Sequence, residues 1–229
     1  MRYLIIGLGI YGTNLAHNLT SMGHEVIGVD IAPQKVEAIK DYISTAYIID
    51  STDEPSLAAL PLKNVDLTIV AIGENFGASI KTVALLKKMG VTHIYARAID
   101  DLHESILQGL NVERILTPEQ RAARDLTFEM EIGSYAKVLC VDQDYYVINF
   151  KVPNYFLGMK YAEITPEKAF GMKLITATRS YRHTNILGVV SDTQKLLDLE
   201  TPGLIVEEND TFTCFGTSKM YRQMFRYIN

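Results

Sequence analysis

The sequence predicts an α/β fold: a doubly wound parallel sheet, then a crossover helix, then a small α+β C-terminal domain. Three observations carry this. A G-x-G-x-x-G stretch, Gly7-Leu8-Gly9-Ile10-Tyr11-Gly12, follows a short apolar run and opens a helical pattern. Strand-like and helix-like segments then alternate as far as Leu116. After Thr117-Pro118 the alternation stops and strand signals cluster.

Residues 3–7 read as a buried parallel strand. Leu15, Leu19 and Met22 recur at helical spacing up to Gly23, which stops the helix. The next strand spans 25–30, and a helix over 34–40 starts behind Pro33. A strand at 46–50 and a short helix at 54–60 follow. Residues 65–72 (VDLTIVAI) make the central strand, and 77–89 a helix with Ile80, Val83 and Ala84 inward. Strands at 93–98 and 114–116 flank a helix at 101–108. Parallel strands joined by such helices give the right-handed crossovers of a Rossmann-like sheet. A longer helix, 119–135, acts as connector. Strands at 137–141 and 145–152 flank Asp142-Gln143-Asp144 as a hairpin. Another strand spans 172–179, a second hairpin joins 204–207 to 211–215, and a helix closes the chain at 218–227. The expected domains are 1–117, 118–135 (crossover helix) and 136–229.

The 229 residues are 48% hydrophobic and 21% charged, which suits a packed core and argues against disorder. The 22 basic against 27 acidic residues give a net charge of −5, so no nucleic-acid partner is expected. No apolar run reaches the roughly 20 residues of a spanning helix, and no signal peptide is expected. This makes the chain cytoplasmic, with any membrane role acting through a partner. Cys140 and Cys214 sit in strand-like stretches and read as buried reduced thiols. No cysteine–histidine cluster suggests a metal, and His17, His24, His93, His103 and His183 are scattered.

The glycine stretch carries the chemistry. Gly7 permits a tight turn, Gly9 lets a diphosphate approach the backbone, and Gly12 lets the helix pack close to the strand. The helix start offers N–H groups and a positive dipole end to phosphates. Asp30, 18 residues past Gly12, ends the next strand and can accept ribose hydroxyls; it disfavours a 2′-phosphate. A plain helix cap is the other reading of Asp30. Asp50, Ser51 and Thr52 after the third strand can border an adenine. Ala71, Ile72 and Gly73 after the fourth can close over the ribose-phosphate. Arg97 ends the fifth strand, where it either meets phosphate oxygens or pairs with Asp100 or Asp101. Ile10 and Tyr11 between the glycines, and Ile31 after Asp30, complete the expected contact set. No Ser/His/Asp set or paired carboxylate stands at a recognisable spacing, so a binding or sensing module is expected rather than an enzyme.

The stretches G-L-G-I-Y-G, M-G-H-E-V-I-G-V-D (22–30), V-A-I-G-E-N-F-G-A-S (70–79) and R-I-L-T-P-E (114–119) resemble the regulator-of-potassium-conductance (RCK, or KTN) family. The likeness is specific over 1–135 and architectural beyond, where such proteins carry their C-terminal RCK subdomain. The chain is most similar to Trk/Ktr-type cytosolic regulatory subunits of bacterial potassium uptake systems. The resemblance implies a non-enzyme that forms homodimers within a ring, commonly an octamer, beneath a membrane potassium-translocating subunit. It implies an adenine nucleotide, ATP, ADP or NAD(H), in the cleft. Gly7, Gly9 and Gly12 would surround the diphosphate, Asp30 the ribose, and Asp50, Ser51 and Thr52 the adenine. Arg97 matches a basic position facing phosphates, and Glu119 an acidic position that in some members reaches a neighbouring subunit's nucleotide. Two departures matter. Many Ktr-type members carry Arg where this chain has Ile10, which removes a contact to a terminal phosphate and makes NAD(H) a fairer competitor. Glu167, ahead of Phe170-Gly171, stands where some members place a basic residue for cyclic di-AMP, so that ligand is not expected. The competing readings are an NAD-dependent oxidoreductase, a Rossmann redox sensor, and a free-standing nucleotide-binding protein.

Overall fold

Strand β1 (Arg2–Ile6) pairs in parallel with β2 (Glu25–Asp30) on one side and β4 (Leu67–Val70) on the other. The computed structural model describes residues 1–132, 136–142, 144–184 and 190–228, in two units, Met1–Gln120 and Arg121–Asn229. In the first unit β3 (Thr45–Ile48), β5 (Ile94–Arg97) and β6 (Arg114–Leu116) complete a six-stranded sheet of order β3-β2-β1-β4-β5-β6. Every pairing is parallel. The chain's order along the sheet reverses between β1 and β4, so a crevice opens at their carboxyl ends.

Helices cover both faces, which is why the strands read as near-continuous apolar runs. Ile5, Val26 and Ile69 pack against Ala16 of α1 (Ile10–Ser21) and Val36 and Ile39 of α2 (Pro33–Ile39). Leu4, Ile6, Val29 and Val70 pack against Leu57 of α3 (Glu54–Ala58), Val83 and Leu86 of α4 (Phe76–Lys88), and Leu107 of α5 (Asp101–Gly109). Two sequence expectations shift. In α1 the buried residues are Gly12 and Ala16, while Met22 is 72% exposed; small residues bring the helix close to the sheet. In α4 the inner face is Ser79, Thr82, Val83 and Leu86, with Ala84 exposed. The Thr82 hydroxyl is paired with Ser51 at 2.8 Å, which makes its burial tolerable.

His103 in α5 is 0% exposed, and among the described residues neither ring nitrogen has a hydrogen-bond partner. Its ring meets Phe76 edge-on at 4.9 Å. Burial holds its pKa below the usual 6.5, against the pull of the Asp100 carboxylate. As pH falls, the unfolded chain therefore takes up this proton before the folded one does, and stability is lost below about pH 6.5. His103→Phe should flatten that loss; urea midpoints at about pH 5 and pH 8 check it.

Helix α6 (Pro118–Ile132) follows β6. Phe128 is buried, whereas Ala123, Leu126 and Met130 are exposed, so that apolar stripe is not core of its own chain. The expected continuation to Tyr135, and Gln143 in the hairpin turn, lie outside the described residues, as does the His183 side chain.

The second unit holds an antiparallel sheet of order β10-β9-β11-β8-β7. Its strands are β7 (Lys137–Asp142), β8 (Tyr145–Lys151), β9 (Lys173–Thr184), β10 (Val190–Leu196) and β11 (Asp210–Thr217). One face packs on α7 (Pro166–Phe170) and α8 (Ser218–Ile228), with Phe150, Phe212 and Tyr221 in the centre. The β7–β8 hairpin is present. The second expected hairpin is not: β11 pairs with β8 and β9 instead. Residues 204–206 bond to the 158–161 segment, Gly158 N–H to Val206 O and Tyr161 N–H to Leu204 O, both 3.0 Å. Buried polar side chains decide this. The Asp210 carboxylate accepts from Arg179 Nε (2.6 Å), Tyr161 Oη (2.8 Å) and Glu207 N–H (2.9 Å), while Arg179 Nη2 donates to Ile205 O (2.7 Å). Strand β10 and helix α7 carried no sequence signal strong enough to be expected. Cys214 is buried and Cys140 only half-buried, so the expected burial holds for the first and not for the second.

Candidate nucleotide-binding site

The turn after β1 is fixed by backbone collisions. Gly7 has φ +101°, its N–H donates to Val29 O at 2.7 Å, and a Cβ there would stand 2.9 Å from Ile72 N. A Cβ on Gly12 would lie 1.9 Å from Gly7 O. Gly9 differs: a Cβ would meet nothing within 4 Å, and as the N-cap of α1 it offers no side chain to the helix's first N–H groups. Those groups and the positive end of the helix dipole are left for another acceptor.

Asp30 is 8% exposed and accepts from Leu8 N–H (2.7 Å) and Ala32 N–H (2.9 Å). The carboxylate therefore ties the glycine loop to Ala32, the residue that precedes α2; it does not cap that helix, whose N-cap is Ala32 with no side-chain cap. An ionised carboxylate has about four acceptor sites, so it retains capacity for a sugar hydroxyl. Asp50 folds the loop after β3 by accepting from the N–H and Oγ1 of Thr52, both at 2.8 Å. Ser51 is held on α4 through Thr82.

Arg97 ends β5. Its guanidinium lies where a Cβ on Gly73 would stand, 2.4 Å from Nη1, and its Cζ is 5.8 Å from the centre of the Tyr11 ring. Its ion-pair partner is Glu119, not Asp100 or Asp101. Asp100 instead caps α5, accepting from His103 N–H at 2.7 Å. Glu119 thus engages a cation of its own chain, 22 residues away.

These residues border one cavity of about 690 Å³ at the carboxyl ends of the strands. Every residue nominated from the sequence lines it except Gly12, which lies behind the loop that it lets close. Asn14, Lys35, Glu74, Asn75 and Ala78 also line it and were not foreseen. Lys35 sits in the first turn of α2 and pairs with Glu74 at 3.8 Å. Asn75 caps α4, accepting from Ala78 N–H at 2.9 Å. The Pro33 helix start and the Asn75 cap were legible signals for both, had the turns been followed to their side chains.

Residues 3–118 match the model of the TrkA-N domain. The chain is 31% identical to Ktr system potassium uptake protein C of Bacillus subtilis over 177 residues, which is 77% of this chain and 80% of that protein. It is 38% identical to Ktr system potassium uptake protein A of the same organism over 119 residues, 52% of this chain and about half (54%) of the relative's length. Among solved structures, the GsuK channel superposes with TM-score 0.66 at 14% identity, covering 99% of this chain and 39% of that one. The GsuK channel bound to NAD superposes with TM-score 0.62 at 14% identity, with the same coverage. The chain belongs to the TrkA-N domain family and is a homologue of the Ktr system potassium uptake proteins.

Proposed function

We propose that this chain is a cytosolic, nucleotide-sensing regulatory subunit of a potassium uptake system and not an enzyme. It binds an adenine nucleotide, ATP, ADP or NAD(H), in the cleft and gates a membrane potassium-translocating subunit from the inner face of the membrane. One observation supports this above the rest. A cavity of about 690 Å³ joins an uncapped helix N-terminus, a buried carboxylate one strand away and an arginine at the end of β5. That is a cradle for a pyrophosphate beside a ribose site. No helix among the described residues is long and apolar enough to cross a membrane, so the membrane connection runs through a partner. The exposed Ala123, Leu126 and Met130 stripe of α6 is the surface we assign to contact between copies in a homodimer, within a ring such as an octamer.

A ligand shifts a conformational equilibrium only through its different affinities for the two states. Ile10, 86% exposed at the cavity edge, brings no cation to a terminal phosphate, so ATP and ADP should bind with similar affinity. Calorimetry with ATP, ADP and NADH tests the reading, and no affinity for any of them would end it. Asp30→Ala should weaken all three by about tenfold or more, because it removes the sugar's acceptor and loosens the Leu8 anchor. Unchanged affinity in that variant removes the ribose assignment. Steady consumption of NADH with a small substrate would instead favour the oxidoreductase.

A further inference from the structure

Both basic side chains on the wall of the cleft are held by carboxylates of the chain itself, Lys35 by Glu74 and Arg97 by Glu119. The two pairs differ in build. Lys35 and Glu74 stand 3.8 Å apart with side chains 39% and 93% exposed, a pair of little energetic weight. Arg97 is fixed. Its guanidinium lies against Gly73 and near the Tyr11 ring, its side chain is 19% exposed, and its buried Nε has no hydrogen-bond partner among the described residues. Glu119 is the exposed member: its side chain is 62% exposed, on the second residue of α6, where the helix dipole favours negative charge with or without Arg97.

We propose that Glu119 is an internal competitor of the ligand phosphate for Arg97. This rests on the nucleotide reading above. A phosphate oxygen and the Glu119 carboxylate seek the same guanidinium donors, and like charges a few ångströms apart in a partly buried site repel. An anionic ligand therefore gains Arg97 by displacing Glu119. Two consequences follow from linkage. Glu119 lowers the affinity for phosphate-bearing ligands and leaves that for an uncharged nucleoside untouched. The charge of the ligand is also passed to the first turn of α6, which loses its tether to β5 when phosphate arrives. Glu119 thereby sets which ligand charge the cleft answers to.

Glu119→Gln keeps the side chain's shape and removes its charge, and its exposure makes a folding defect no obstacle. Calorimetry at low salt compares ADP and adenosine on this variant and on the unmodified chain. The expected result is ADP binding about fivefold tighter to the variant, with adenosine unchanged. ADP affinity that is unchanged or weaker in the variant, while the unmodified chain binds ADP, overturns the competition and leaves the nucleotide reading standing. Equal tightening of adenosine also overturns it, since a charge effect cannot act on a neutral ligand. No ADP binding by the unmodified chain overturns the nucleotide reading itself, and this inference with it.

Discussion

Gly12→Ala destabilises the first unit by about 3 kcal/mol or more and abolishes nucleotide binding. The new methyl would lie 1.9 Å from Gly7 O and 3.3 Å from the Ala71 Cβ. The nearest atom is backbone, and it belongs to the turn that Gly7 holds at φ +101°. Relief requires α1 to back away from β1 or the turn to open, and either movement scatters the N–H groups to which we assign the phosphate. Gly9→Ala is the control. Its methyl meets nothing within 4 Å, so only the poorer N-cap is felt, about 1 kcal/mol. It does, however, put a methyl group on the residue to which we assign the close approach of a diphosphate. The pair separates the two uses of glycine: one variant loses fold and ligand together, the other loses ligand and keeps the fold. Urea unfolding with calorimetry reads both. A wild-type midpoint for Gly12→Ala would mean that α1 does not pack on β1 at this distance.

That contrast also explains what was legible in the sequence. The glycine motif announces itself through its spacing alone, although its glycines answer different needs: Gly12 a collision with Gly7 O five residues back, Gly7 a collision with Ile72 brought in from the far strand, and Gly9 no collision at all. β2 and β6 were placed to the residue because short apolar runs end there at recognisable turns. Arg97 was legible as a cation at a strand's carboxyl end, but its partner was not: Asp100 and Asp101 are near in sequence, whereas Glu119 arrives from the next helix. Gly73 was read as closing over the ribose-phosphate, and what the sequence did not show is that its missing side chain makes room for the Arg97 guanidinium. Lys35 and Glu74 meet only when the sheet brings the β2 and β4 ends together. The error at 204–207 is of the same kind. The segment alternates like a strand, but long-range polar partners claim its backbone before β11 can. Local signals fixed the elements, and the misses are contacts between residues far apart in the chain.

Those polar partners support the second large effect. Asp210→Ala should cost the second unit about 3–5 kcal/mol, because Arg179 would be left as a buried charge without its main partner. Burial alone would raise the Asp210 pKa. The hydrogen bonds from Arg179, Glu207 N–H and Tyr161 outweigh it and hold the group below its ordinary 3.8. Its contribution is thus fully present above the ordinary value and is lost as pH falls through the lowered one, so the unmodified second unit should weaken in acid below about pH 4. Asp210→Ala should remove that component while lowering stability at neutral pH. Asp210→Asn separates charge from shape: it keeps one acceptor but turns an amide donor toward donors already there, so it should recover only part of the loss. With no tryptophan in the chain, tyrosine fluorescence or calorimetric unfolding follows the transition. Hydrogen exchange along β11 locates it. If Asp210→Ala unfolds within about 0.5 kcal/mol of the unmodified chain, the Arg179–Asp210–Tyr161 cluster does not hold residues 204–210 against the 158–161 segment, and the reason given for the missing second hairpin fails with it.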